Sequence, residues 1–170
     1  MNFLDLCKER YSVRKFSDKP IEPDVLAQIL EAGRVAPTAK NNQPQRIYVL
    51  QSEEALAKIR SITRFSFNAP VVLLICGDIS EGWINPFNDR NGTEMDVSIV
   101  TTQMMLQTTA LGLGSTWVCW FDMAVVKEQF NLPEQIEPYA ILPIGYPSEQ
   151  SIPSPSHENR KTLDETVQYL

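Results

Sequence analysis

Arg10, Ser12 and Arg14 alternate within the stretch RYSVRKF. In an extended chain every second side chain points the same way, so two guanidinium groups and a hydroxyl would share one face. A guanidinium sets two parallel N–H groups against paired oxygens, and such a face suits a phosphate or the polar edge of a heterocycle. Taken alone, the stretch also reads as a solvated basic segment. Farther on, APTAKNNQPQ places Thr38, Asn41 and Gln43 between two prolines, Pro37 and Pro44. Amide groups both donate and accept, so this loop can read the mixed edge of a heterocycle; it reads equally as a polar connector. Residues 8–15 carry Lys8, Arg10, Arg14 and Lys15 against Glu9, and residues 34–46 carry Arg34, Lys40 and Arg46 with no acid. Residues 78–96 are acidic, with Asp78, Glu81, Asp89, Glu94 and Asp96 against Arg90. Two basic patches in an acidic chain point to a small anion rather than a polyanion groove.

What is missing narrows the chemistry. The single histidine, His157, lies in a Pro/Ser-rich tail and reads as exposed, so a multi-histidine metal site is ruled out and any His-dependent nucleophile would need that one residue. Hard chemistry on this chain would therefore belong to a cofactor, and no residue is nominated as an essential proton-transfer group. Cys7, Cys76 and Cys119 sit among apolar neighbours without a C-x-x-C, which predicts buried, reduced thiols and a cytoplasmic protein. With 170 residues, a formal charge of −6 and 43% hydrophobic residues, the chain is expected to form one globular domain spanning 1–170. Its acidity argues against nucleic acid and anionic membranes. The longest apolar run, Ala69 to Cys76, is far short of the roughly 20 residues of a spanning helix. The first ten residues mix both charge signs around no apolar core, so no secretory leader is expected there. Gly112-Leu-Gly114 follows a helical pattern instead of opening one, so it is not a dinucleotide fingerprint.

The elements that must position these residues read as an alternation of helices and strands, hence α+β or α/β. Asn2 caps a short first helix; Pro23 opens a second, with Val25, Leu26, Ile29 and Leu30 as its stripe. Ile47 to Gln51 reads as a strand and Ser52 starts a third helix. APVVLLICG has the continuous apolar character of a strand buried on both faces. Glu94 to Leu111 is the longest helix and ends in a glycine cap. It is apolar or small nearly all round, which predicts cover on all sides and, in so small a domain, a subunit interface. Ser115 to Trp120 reads as a strand, with Trp117 and Trp120 as core residues. Asp122 caps a further helix, and YAILPIGY is a strand whose proline predicts an edge or bulged position. The tail ends in an amphipathic piece, Leu163 to Leu170.

Taken together, Arg10–Phe16, Ala36–Pro44, Leu111–Ser115 and Gly145–Pro147 resemble, in order and separation, the motifs of the nitroreductase family: R-x-S-x-R-x-[FY], A-P-[ST]-x-x-N-x-Q-P, L-G-L-G-[ST] and G-Y-P. HENRKTL is similar to that family's closing basic element, so the resemblance runs from Phe3 to about Val167. It implies a three-layer α+β fold, a central mostly antiparallel sheet flanked by helices, and an intertwined homodimer with two FMN sites built from both chains. By motif position, Arg10, Ser12 and Arg14 would hold the FMN phosphate, ribityl chain and pyrimidine edge. Arg160 would pair with the phosphate, with Lys161 as the nearby alternative. Pro37, Thr38, Ala39, Asn41 and Gln43 would line the flavin from the partner subunit, and Gly114 and Ser115 would lie near the ring. The implied activity is transfer of reducing equivalents from NADH or NADPH through flavin N5 to a small flat acceptor such as a nitroaromatic or quinone. The chain is at the short end of the family, and only Ser80–Gly92, with Trp83 and Phe87, has room for a lid. Two other readings stand beside this one: an FMN-binding store or redox sensor without turnover, and an acidic interaction module without a cofactor.

Overall fold

A computed structural model describes residues 2–170. Helix α1 (Phe3–Glu9) starts where the Asn2 side chain accepts the Asp5 N–H, as its sequence predicts. Helix α2 (Pro23–Arg34) follows, then strand β1 (Gln45–Leu50), helix α3 (Glu53–Ile62) and strand β2 (Val71–Asp78). Helix α4 (Thr93–Ala110) leads into the two-residue strand β3 (Gly114–Ser115). Helix α5 (Met123–Gln129), strand β4 (Ile136–Gly145) and the single turn α6 (Leu163–Thr166) complete the chain. Ser52 caps α3 and Asp122 caps α5 through their side-chain oxygens.

The sheet has the order β1-β2-β4-β3, and every pairing between these strands is antiparallel. Side chains alternate along β2 and divide the core in two. Val71, Leu73 and Ile75 pack with Ala140, Leu142 and Ile144 against Ile29 of α2 and Val97, Val100 and Met104 of α4. Val72, Leu74 and Cys76 pack with Ile141 on the opposite face against Leu56 and Ile59 of α3 and Val126 of α5. The result is an α+β arrangement of helix, sheet and helix layers, with β2 buried along its whole length.

Of the two positions expected for YAILPIGY, edge or bulged, the second holds: β4 runs between β2 and β3 and carries a bulge at Tyr139, where Ile75 faces Ala140 but Cys76 faces Pro138. Two expectations need correction. Ser115–Trp120 is not a continuous strand; the chain leaves β4 after Ser115 and returns to it at the isolated Val118–Ile141 bridge. The amphipathic piece at the end of the chain is helical only over Leu163–Thr166, and its apolar side chains stay exposed.

Helix α4 ends in a Schellman cap. Gly112, at φ +77°, donates to the Thr109 carbonyl and Leu113 donates to that of Thr108. This turn delivers the chain straight into β3. The buried face of α4 comprises Thr93, Asp96, Val97, Val100, Thr101, Met104 and Thr108, while Met95, 58% exposed, and Ile99 face outward. Among the described residues no helix is long and apolar enough to cross a membrane.

Candidate functional site

The basic stretch after α1 is extended and lies against β3. Ser12 and Ser115 form a parallel bridge, and Val13 donates its N–H to the Ser115 carbonyl at 3.0 Å. Val13 is 1% exposed and points inward, whereas its neighbours Ser12 and Arg14 reach toward solvent. The close approach depends on Gly114, where a Cβ would fall 2.3 Å from Val13 Cγ2 and 2.6 Å from Val13 Cβ. The sequence therefore specifies this contact twice, by a glycine on one strand and a buried valine on the other. The Ser115 hydroxyl is buried and has no hydrogen-bond partner among the described residues.

The tail returns along the same stretch. Phe16 bridges Pro147, Ser148 donates to the Lys15 carbonyl, and the Tyr11 hydroxyl lies 3.1 Å from Ser151 Oγ. His157, read from sequence as an exposed residue, is instead half-buried, with Nε2 2.9 Å from the Lys8 carbonyl and its ring edge-on to Tyr11. A carbonyl can only accept, so that ring nitrogen carries the proton. Arg160 is thereby brought to the end of α1, where it lines a cavity of about 380 Å³ with Cys7, Lys8 and His157. Ser12, Arg14 and Lys15 line a neighbouring cavity of about 230 Å³ with residues 150–155. Lys161 is exposed.

Beyond Arg14 opens a cleft of about 320 Å³ that sequence reasoning missed. Phe65, Phe67 and the run Thr116–Trp120 form its walls. Phe65 meets Trp120 edge-to-face with centroids 6.2 Å apart, and the Thr63 hydroxyl donates to the Trp120 carbonyl at 2.7 Å. Trp120 is 76% exposed, so it is a wall residue and not the core residue expected; Trp117 is half-buried. Cys119 is exposed and Cys7 half-buried, against the expectation of three buried thiols. Only Cys76 is buried, and burial pushes its thiol up to about 12. The Trp117 indole donates to Cys119 Sγ at 3.1 Å.

The loop 36–44 stands elsewhere. Lys40, Asn41 and Gln43 are held at φ 51°, 56° and 52°, left-handed conformations that cost on the order of 1 kcal/mol or more each. Thr38 Oγ1 accepts the Gln43 N–H, Asp96 Oδ1 accepts the Ala39 N–H, and the Asn42 amide donates to the Glu81 carbonyl. Arg46 lies 2.6 Å from Glu81 and 3.7 Å from Asp78, whose carboxyl is held low chiefly by the Ser80 hydroxyl. Pro37, Asn41 and Gln43 are exposed, and Thr38 and Ala39 half-buried.

Strand register fixes the distance between the two halves. Loop 36–44 feeds Gln45, which pairs with Gly77, itself opposite Glu137 at the start of β4. Gly114 and Ser115 pair with Gly145 and Ile144 at the end of β4. The halves thus occupy diagonally opposite corners of the sheet, about 14 Å apart across three strand spacings and about 27 Å along the strands. Helix α4 spans the same gap, with Asp96 at one end and Gly114 beyond the other. Within one chain, Arg10, Ser12, Arg14, Gly114 and Ser115 come together with the tail bearing Arg160; Pro37, Thr38, Ala39, Asn41 and Gln43 do not join them.

The sequence pattern of the nitroreductase family matches residues 7–67 and 60–146. A solved nitroreductase family protein from Clostridium difficile 630 is 42% identical over 99% of this chain and 98% of its own, with a TM-score of 0.93. A Methanothermobacter thermautotrophicus protein named for NADH dehydrogenase or NAD(P)H nitroreductase activity is 29% identical over 88% of this chain and 79% of its own length. The same fold recurs in an Exiguobacterium sibiricum protein solved in complex with FMN, at 20% identity over 100% of this chain and 98% of that one, with a TM-score of 0.84. With its motifs in order, its layers in register and most of its length matched, the chain belongs to the nitroreductase family.

Proposed function

We propose that the chain is an FMN-dependent oxidoreductase that uses NADH or NADPH to reduce small, flat, electron-poor acceptors such as nitroaromatics or quinones. The observation that carries this reading is the Arg10–Arg14 strand docked on Gly114–Ser115, with the aromatic cleft opening beside Arg14. These residues fit FMN. The buried, unpartnered Ser115 hydroxyl beside Ser12 offers a hydrogen bond to a polar ligand, Arg10 and Arg14 supply cations for phosphate and pyrimidine oxygens, and the cleft walls give a planar ring apolar cover. When bound, FMN supplies hydride chemistry at N5. The chain's task is then to bind, orient and exclude water. Arg14 reaches the cleft from the basic strand and would oppose negative charge at the ring's N1–C2 edge.

The diagonal separation of the two halves supports a site completed by a second copy of the chain, whose loop 36–44 would close over the ring. Met95 and Ile99 on α4, Phe3 and Leu4 on α1, and Leu163, Val167, Tyr169 and Leu170 at the chain's end are exposed apolar residues that such an interface would bury. Loop 80–92 is pinned to loop 36–44 through Asn42 and Glu81, so its tip would face the same ring; Phe87 there is 94% exposed and suited to cover an acceptor. The test is steady-state oxidation of NADH and NADPH with a quinone and with a nitroaromatic acceptor. Turnover separates this reading from an FMN store or sensor. Mixing an Arg10→Ala/Arg14→Ala chain with an Asn41→Ala/Gln43→Ala chain tests the shared site: unfolding and refolding the two together should restore FMN sites that neither variant forms alone.

A further inference from the structure

We infer that Asp96 is a positioning residue: it fixes loop 36–44 to helix α4 and so sets how the loop meets FMN, an inference that rests on the reading of that loop given above. Asp96 is 3% exposed, and its Oδ1 accepts the Ala39 N–H at 2.9 Å. Its Oδ2 is buried with no partner among the described residues. Residues 40, 41 and 43 are left-handed without being glycine, so the loop's local backbone preferences oppose its shape. Bonds inside the loop do not settle where it stands: Asn41 and Asn42 donate to the Thr38 and Ala39 carbonyls, and Gln43 to Thr38 Oγ1. Between its buried ends, Ala36 and Pro44, three hydrogen bonds tie it to the rest of the fold. One reaches the Glu81 carbonyl, which is itself on a surface loop, and one comes to the Gln43 carbonyl at 3.3 Å from Arg46, only three residues along the chain. The third reaches Asp96, on an 18-residue helix packed against α2 and the sheet.

That helix also delivers Gly114, which seats the Arg10–Arg14 strand. In a site built from two chains, each α4 would hold the loop of one FMN site and the strand of the other. Asp96 then acts on FMN without touching it. A buried hydrogen bond to a carboxylate is among the stronger ones, and its loss releases strain already stored in the loop.

The test compares Asp96→Ala and Asp96→Asn with the wild type, by hydrogen exchange of the Ala39 amide without FMN and by FMN titration. Asn keeps an acceptor for the Ala39 N–H. The wild type and Asp96→Asn should protect Ala39, and Asp96→Ala should exchange it at least tenfold faster. FMN affinity should fall about tenfold in Asp96→Ala and less than threefold in Asp96→Asn. Equal Ala39 exchange and equal affinity in all three overturn the inference. Should Asp96→Ala not fold, the wild type alone still decides, because a Ala39 amide exchanging as fast as that of exposed Lys40 also overturns it. Wild-type protein that takes up no FMN refutes the functional reading, while the exchange comparison still shows whether Asp96 holds the loop.

Discussion

Gly114→Ala probes the contact on which the basic strand depends. The added methyl would sit 2.3, 2.6 and 2.9 Å from three carbons of Val13, where ordinary contact begins at 3.4 Å. Val13 is buried and branched at the atom that clashes, so a rotamer change cannot clear it. The strand must move out by about 1 Å, or the side chain must strain, at about 1–3 kcal/mol for overpacking. A shift of that size also stretches the 3.0 Å bond from Val13 N–H to the Ser115 carbonyl beyond hydrogen-bonding range, for about 1 kcal/mol more. The total, about 2–4 kcal/mol, corresponds to a Tm drop of about 5–15 °C in a domain of this size. Arg10, Ser12 and Arg14 ride on the displaced strand, so FMN affinity should fall tenfold or more. Val13→Gly alone costs about 3 kcal/mol, as a cavity and as added backbone freedom, but removes all three clashing carbons. The double variant should therefore be about 2 kcal/mol more stable than the two single losses added together. Calorimetry and FMN fluorescence titration measure both quantities. Wild-type stability and affinity in Gly114→Ala, or strict additivity in the double variant, would refute the reasoning.

Arg14→Ala should weaken FMN binding about tenfold or more and lower the flavin midpoint potential, with Arg14→Lys intermediate; unchanged affinity and potential would contradict Arg14 as the cation at the ring edge. At pH 8 a thiol reagent should label exposed Cys119 first and half-buried Cys7 more slowly, and reach Cys76 only after unfolding; three equal rates would contradict the burial described. Burial raises the Cys76 thiol from 9.0 and the Tyr139 phenol from 10.0 to about 12 each. The folded state thus binds more protons than the unfolded state in that window, so stability should be complete below about pH 9 and decline as pH rises toward about 12. Cys76→Ala should flatten the early part of that decline in pH-dependent urea unfolding, and an unchanged profile would count against it. Phe87→Ala should raise KM for aromatic acceptors while leaving reduction by NAD(P)H unaltered; identical KM values would remove Phe87 from the acceptor site.

Local chemistry made half of the site legible. Arg10, Ser12 and Arg14 alternate in sequence because they share a face, and Gly112 stands where α4 needs a left-handed cap. Asn2, Ser52 and Asp122 announce their helices because side-chain oxygens at those positions accept the first free N–H groups. Loop 36–44 was legible as a site element, but its diagonal separation from the basic strand follows from strand order and register, which only the folded sheet reveals. The cleft wall was not legible. Trp120 lies in an apolar run, the ordinary signature of a core, and Phe65 stands between Arg64 and Ser66 with nothing local to pair the two; they meet where the Thr63 hydroxyl donates to the Trp120 carbonyl across 57 residues of chain. The path of the tail was hidden for the same reason: Tyr11 and Ser151 are 140 residues apart, and nothing local in a Pro/Ser-rich segment specifies where it docks. The proline of YAILPIGY allowed an edge or a bulged strand, and local sequence did not choose: Pro143 sits in an interior strand because its missing N–H faces the gap in pairing between Ser115 and Val118, while the bulge lies at Tyr139 beside Pro138.

The most direct test of FMN-dependent oxidoreduction is the visible absorption spectrum of the purified protein, supplemented with FMN and freed of excess, before and after anaerobic addition of NADH or NADPH. Protein-bound flavin bands should bleach with one or both donors and return when an acceptor is added. Protein that retains no flavin, or bound flavin that neither donor bleaches, would contradict FMN-dependent oxidoreduction.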